Sequence, residues 1–297
     1  MTSAARRTSA VIALTSAALA VVACGGGATS TTRTSAAAKT VPVRILHAPK
    51  NLESVTEPQS NGIMWALAGN QSEALYEIDA TTGHVAGIVP VSRAATAVAE
   101  STLGVIGLAL GTNRSGALEL LDGRTSRRIE TVALPAPARD VALGSDGSTF
   151  YVLTGWPKSA SVTIVDSQNG KVQGTIPMPS DAVSIEPDVQ QAMLYVLERS
   201  GEITEISISD GKIASKFSVG HDPGLSLALS PDGGTLYVLK GTDTVANIAV
   251  VSAATQSVLR VLPAPSHCLQ VLASTSGTQL YEAVGTPAYG NIQVFVV

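Results

Sequence analysis

Four histidines, two cysteines and a few charged residues placed before short apolar runs are the groups in this chain that could do chemistry. His47, His221 and His267 stand in comparable positions, and three imidazoles brought together could hold a divalent cation. Their offsets from the following run differ, and no His-x-His or His-x₃-His pair occurs. They therefore read as solvated loop histidines, and no metal is expected. Arg139 and Asp181 take matching places ahead of two such runs, as a structural ion pair or, less favoured, part of an anion site. Arg93 adds positive charge to that set, and His221-Asp222 adds a mixed pair. Trp156, followed by Pro157 and Lys158, offers an aromatic contact. Cys268 adjoins His267, but neighbours on a strand face opposite sides, which argues against a thiolate–imidazole dyad. A buried structural thiol is expected instead. The ligand-binding candidates are thus Arg93, Arg139, Asp181, His221, Asp222, His267 and Trp156. No serine nucleophile elbow, paired-carboxylate signature or Cys-x-x-Cys-His is present, so no catalytic residue and no cofactor are assigned.

The elements that position these residues are short strands. Ala228 to Ser252 reads as strand, tight turn, strand, polar loop, strand. Pro231-Asp232-Gly233 supplies the turn, because Pro presets φ and Gly accepts φ > 0. Poorer copies of this unit recur. Trp65, Tyr151, Tyr195, Tyr237 and Tyr281 sit in equivalent contexts, and the last four are 44, 42 and 44 residues apart. The gap of 86 between Trp65 and Tyr151 is two periods, with Gly104-Val105-Ile106-Gly107 filling the missing copy. A fixed period in this range marks a solenoid, propeller or array. Each copy holds four strand-like runs, such as Ala182–Ile185, Met193–Leu197, Ile203–Ile208 and Lys212–Val219, and shows no 3.6-residue periodicity. Four short strands per repeat is the composition of a propeller blade.

The expected fold is all-β, a single β-propeller over residues 40–297 with six four-stranded blades. Seven is the alternative, because the second copy is degraded. The sixth copy ends after its third strand, Asn291–Val297, while Thr40–His47 precedes the first and resembles a fourth strand. Arg44-Ile45-Leu46-His47-Ala48-Pro49 parallels Arg260-Val261-Leu262-Pro263-Ala264-Pro265. The N-terminal strand is therefore expected to complete the last blade, removing an exposed edge.

Two resemblances follow. SPDGGTLYVLKGTDTVANIAVVSAATQSVLRVLP and the related run through Val162-Thr163-Ile164-Val165-Asp166 resemble the YVTN-type β-propeller repeat over about residues 50–297. The Asn usual after Tyr-Val-Thr is absent; Thr154, Glu198 and Lys240 stand in that region. The resemblance speaks for fold and little for function. It implies a ligand site at the channel mouth, on the face shared by the loops between strands four and one and between strands two and three. Propellers similar to this one include lactone hydrolases and lyases.

At the other end of the chain, Arg6-Arg7 precedes an apolar stretch from Ala10 to Ala23. Its 14 residues are short for a bilayer span, which takes about 20. Val21-Val22-Ala23-Cys24 resembles the bacterial lipobox, which implies cleavage after residue 23 and lipidation of Cys24. Acyl chains contribute about 0.8 kcal/mol per buried CH₂, so a multiply acylated terminus anchors stably. The arginine pair also resembles the twin-arginine export pattern, whose Phe-Leu-Lys continuation is missing. Residues 24–39, rich in Gly, Ser, Thr and Ala, read as a flexible tether. Without residues 1–23 the chain carries 17 basic against 23 acidic residues, a net charge of −6, and no basic run, which argues against nucleic acid as a partner.

The reading from sequence is an exported, monomeric, lipid-anchored module facing the extracytoplasmic side, binding or scaffolding a protein, glycan or other envelope ligand. The alternative is a lactonase-like propeller hydrolase or lyase.

Overall fold

The computed structural model describes residues 41–69, 73–112, 115–155, 159–179 and 181–297, and residues 37–297 cluster as one compact unit. The expected signal peptide, the expected lipidation site Cys24 and the expected tether lie outside the described residues. Strands alternate apolar and polar positions and end at glycine turns. Gly233 at φ 70° closes the Pro231-Asp232 turn, with its N–H donating to the Ser230 carbonyl at 2.8 Å. Among the described residues the chain forms 24 strands in six antiparallel four-stranded sheets, arranged as the six blades of a propeller.

Blades 1 to 5 occupy residues 52–90, 95–134, 138–178, 182–218 and 224–264, each built in sequence order from the channel outward. Blade 6 takes residues 268–296 for three strands, and Arg44–Ala48 pairs antiparallel to Gly290–Val296 as its fourth. The closing strand expected over Thr40–His47 thus lies slightly later. Its single fully buried residue, Leu46, is 1% exposed and packs between blades 6 and 1.

The core is six clusters, one in each joint between neighbouring blades. The aromatic of each second strand fills the joint with the next blade. Trp65 lies in joint 1–2, and Tyr151, Tyr195, Tyr237 and Tyr281 lie in joints 3–4, 4–5, 5–6 and 6–1. Joint 2–3 differs. Gly107 stands at the aromatic position of blade 2, and Phe150 of blade 3 occupies the space from the other side. A Cβ on Gly107 would sit 3.0 Å from the Phe150 ring.

Candidate functional site

A ring of blades leaves its six innermost strands as sheet edges around a channel, with backbone N–H groups that lack a strand partner. In every blade the register between first and second strands slips by one residue near the start of the inner strand. Such a bulge re-aims a side chain. The skipped residues are Glu53, Thr96, Arg139, Val183, Leu225 and Leu269, and all six line the channel.

The next residue in each inner strand satisfies the edge. The side chains of Ser54, Asp140, Ser184, Ser226 and Gln270 accept the N–H groups of Val98, Ile185, Leu227, Val271 and Val55, each one blade along. The distances run from 2.8 to 3.3 Å. These bonds stitch five of the six joints around the channel, including joint 6–1, where Gln270 reaches Val55. In joint 2–3 the corresponding residue is Ala97, which has no acceptor. There Val141 donates to Oδ1 of the adjacent Asp140 at 2.9 Å, while Asp140 Oδ2 accepts Ile185 N–H at 3.1 Å. Thr96 Oγ1 crosses joint 2–3 the other way, donating to the Ala138 carbonyl at 3.2 Å.

Two residues further along the inner strands the channel opens into a cavity of about 440 Å³. The level paired with the second-strand aromatics carries Thr56, Ala99, Ala142, Glu186, Ala228 and Leu272, and the small Ala99 and Ala142 line the cavity there. The cavity continues to the turns between first and second strands, where Thr102, Ser145, Gln190, Asp232 and Thr275 line it.

Its walls are acidic. Glu57 of blade 1 and Glu186 of blade 4 come from opposite sides of the ring, and Asp140 of blade 3 lies beside blade 4. Burial pushes the Glu57 carboxyl up to about 7. Burial also raises Glu186 well above the carboxylate range, with the Asp140 and Glu57 charges adding to it, although Leu229 N–H donates to Oε1 at 3.2 Å. Asp140 is raised by burial against its backbone donors and Ser184. Glu100, 6% exposed, is raised to about 7 by burial, partly offset by a hydrogen bond with Trp65. Toward the turn face, Glu100 Oε2 and Asp188 Oδ2 are buried without a hydrogen-bond partner, in side chains that line the cavity. Arg139, at the far end, is the one lysine or arginine lining it among the described residues.

Of the residues singled out from sequence, Arg139 lines this cavity; Arg93, Asp181, His221, Asp222 and His267 do not. They lie at the opposite face, in or beside the loops from strand four to the next strand one. Trp156 lies outside the described residues. Arg93 and His221 are exposed. Asp222 is 3.6 Å from Lys240 Nζ, whose buried amine also donates to the Val219 carbonyl at 2.7 Å, so the pair clamps that loop. His267 adopts φ 60° and its N–H donates to the Asp243 carbonyl at 2.7 Å. Asp181 accepts Arg199 N–H through its carbonyl at 3.0 Å. Among the described residues no three His, Cys, Asp or Glu side chains converge to hold a metal ion. Cys268 is buried and free, and burial pushes its thiol far up, so it is no nucleophile.

The acids of the cavity carry a signal that sequence reasoning passed over. Residues 54, 97, 140, 184, 226 and 270 recur every 42 to 44 residues, and five are polar where an inner strand should be apolar. Glu186 likewise stands where blades 2, 3 and 5 carry Ala. No family model matches the chain, and a search of curated proteins finds no significant relative.

Proposed function

We propose that this chain is an exported, lipid-anchored binding protein whose receptor site is the propeller channel at the turn face. The observation that carries the reading is the cavity itself, a preformed concave site of the size that binds small ligands, lined by an apolar band and several buried acids. The lipobox-like Val21-Val22-Ala23-Cys24 supports the anchor, and the YVTN-like repeats support the kinship of the blades. Native mass spectrometry of the full-length protein, purified in detergent after exposure to envelope extract, tests the receptor reading. A retained ligand is expected, and it should be lost on filling the cavity with Ala142→Leu. Equal retention by the folded variant would sink the channel as the site. Detergent-phase partition that survives Cys24→Ala would do the same for the anchor.

A hydrolase reading is favoured by one observation. Glu57 is poised near neutrality across the channel from Glu186, as general acid–base work requires. Lactone turnover that Glu57→Gln abolishes would establish it.

A further inference from the structure

The acids of the channel, its orphaned acceptors and its apolar band point together to one class of ligand. Asp140 lies two levels above Glu186, and Glu57, Glu100 and Asp188 lie one or two levels below it. Three to four residues of strand separate the two ends of this series, about 10–13 Å. Between them run Val55, Val98, Val141, Ile185 and Leu227. The five carboxylates are spread over four blades and do not converge on a point, so a single metal ion cannot serve them. The unpartnered oxygens of Glu100 and Asp188, in side chains 6% and 3% exposed, need donors that the described protein atoms do not supply. An ammonium group brings three donors and no acceptor.

We propose that the channel receives an elongated organic cation, an aliphatic amine with two or more ammonium groups, lying along the axis between Glu57 and Glu186. The inference rests on the channel being the receptor site. Methylene segments pack on the valine and leucine band, and the terminal ammonium at the turn face donates to Asp188. The ligand enters at the turns, the end away from Arg139 and Glu53. Glu186 faces the carboxyls of Glu57 and Asp140, and all three are held toward the protonated form by burial. A bound cation draws those protons off, so binding releases protons and tightens as pH rises through about 7.

Titration calorimetry on the full-length protein in detergent tests this, with putrescine and spermidine as cations and hexanediol and adipate as neutral and anionic controls. Spermidine is expected to bind one-to-one, more tightly than putrescine, with heats that vary with buffer ionisation enthalpy. Glu57→Gln and Glu186→Gln should each weaken it by about tenfold or more. Gln mimics the protonated acid, so these variants keep the fold, which thermal unfolding verifies. Asp222→Asn, at the other face, should bind as the wild type does. Absence of saturable spermidine binding, or affinity unchanged in both channel variants, overturns the inference. If hexanediol or adipate binds instead and the channel variants abolish it, the cation is wrong and the receptor stands. Silence of every probe, together with equal ligand retention by Ala142→Leu, removes both.

Discussion

Joint 2–3 and the other five joints solve one problem by different means. At each regular joint an aromatic from one blade fills the space beside the next, and a Ser, Asp or Gln accepts an N–H of the neighbouring inner edge. At joint 2–3 both devices are missing, since Gly107 and Ala97 stand at those positions. Phe150 fills the space from the far side, and Asp140 turns back to bond Val141 while still serving Ile185. The requirement is thus on volume and on hydrogen bonding, not on residue type. A buried edge donor must be accepted, and whichever blade supplies the acceptor is immaterial.

The largest effect should come from breaking a regular joint outright. Deleting residues 41–48 removes Leu46 and the whole fourth strand of blade 6, exposing the edge of Gly290–Val296. We expect a loss on the order of 5 kcal/mol in denaturant unfolding. Deleting 25–39 should cost almost nothing, and equal midpoints for the two truncations would refute closure by this strand. Next comes Asp140→Ala, which orphans two edge donors at once, Val141 and Ile185, for about 3 kcal/mol. Ser226→Ala orphans only Val271 and should cost about 1 kcal/mol. If the two variants cost the same, Asp140 does not serve two joints.

A pH experiment probes joint 5–6, where Glu282 lies near Cys268. Glu282 sits where blades 3 to 5 carry Val152, Val196 and Val238, and burial raises its carboxyl from 4.5 to about 8. A carboxyl raised by folding favours the folded state fully below 4.5, and that contribution is lost as pH climbs through about 8. Glu282→Val should therefore flatten the fall in thermal midpoint between these values, stabilising the protein mainly at the alkaline end. A pH profile identical to the wild type's would contradict the assignment. The smallest effect is expected of Ala97→Ser, which gives joint 2–3 the acceptor that its sisters have. In the wild type Val141 is already satisfied, so the change should be within about 0.5 kcal/mol. In Asp140→Ala it should recover part of the loss, measured as a double-mutant coupling.

The blades were legible because their punctuation is chemical. Pro231-Asp232-Gly233 can hardly be anything but a turn, and Tyr151, Tyr195, Tyr237 and Tyr281 recur because each fills the same joint. Blade count and the closing strand followed from that ruler, and Gly107 marked blade 2 as irregular. The cavity was not legible, for two reasons. Where a channel widens depends on the bulk of residues meeting from six blades, here Ala99 and Ala142 among them, and no local pattern reports that sum. The bulges also shift which inner-strand residues face the axis, so Glu53, Arg139 and Leu269 line the channel although an unbroken alternation would not put them there.

The closing strand also sets how the molecule carries mechanical load. Any force transmitted through the N-terminal segment enters the ring at residue 41 and reaches Arg44–Ala48 before any other strand. That strand is outermost in its blade and is paired on one side only, to Gly290–Val296. Tension pulling its leading end away from the ring peels it rung by rung, from Arg44↔Val294 to Ala48↔Gly290, instead of shearing five rungs together. The seam that makes the propeller a closed ring is therefore also its mechanical fuse. Single-molecule stretching from the N-terminus should show blade 6 yielding at low force before blades 1 to 5.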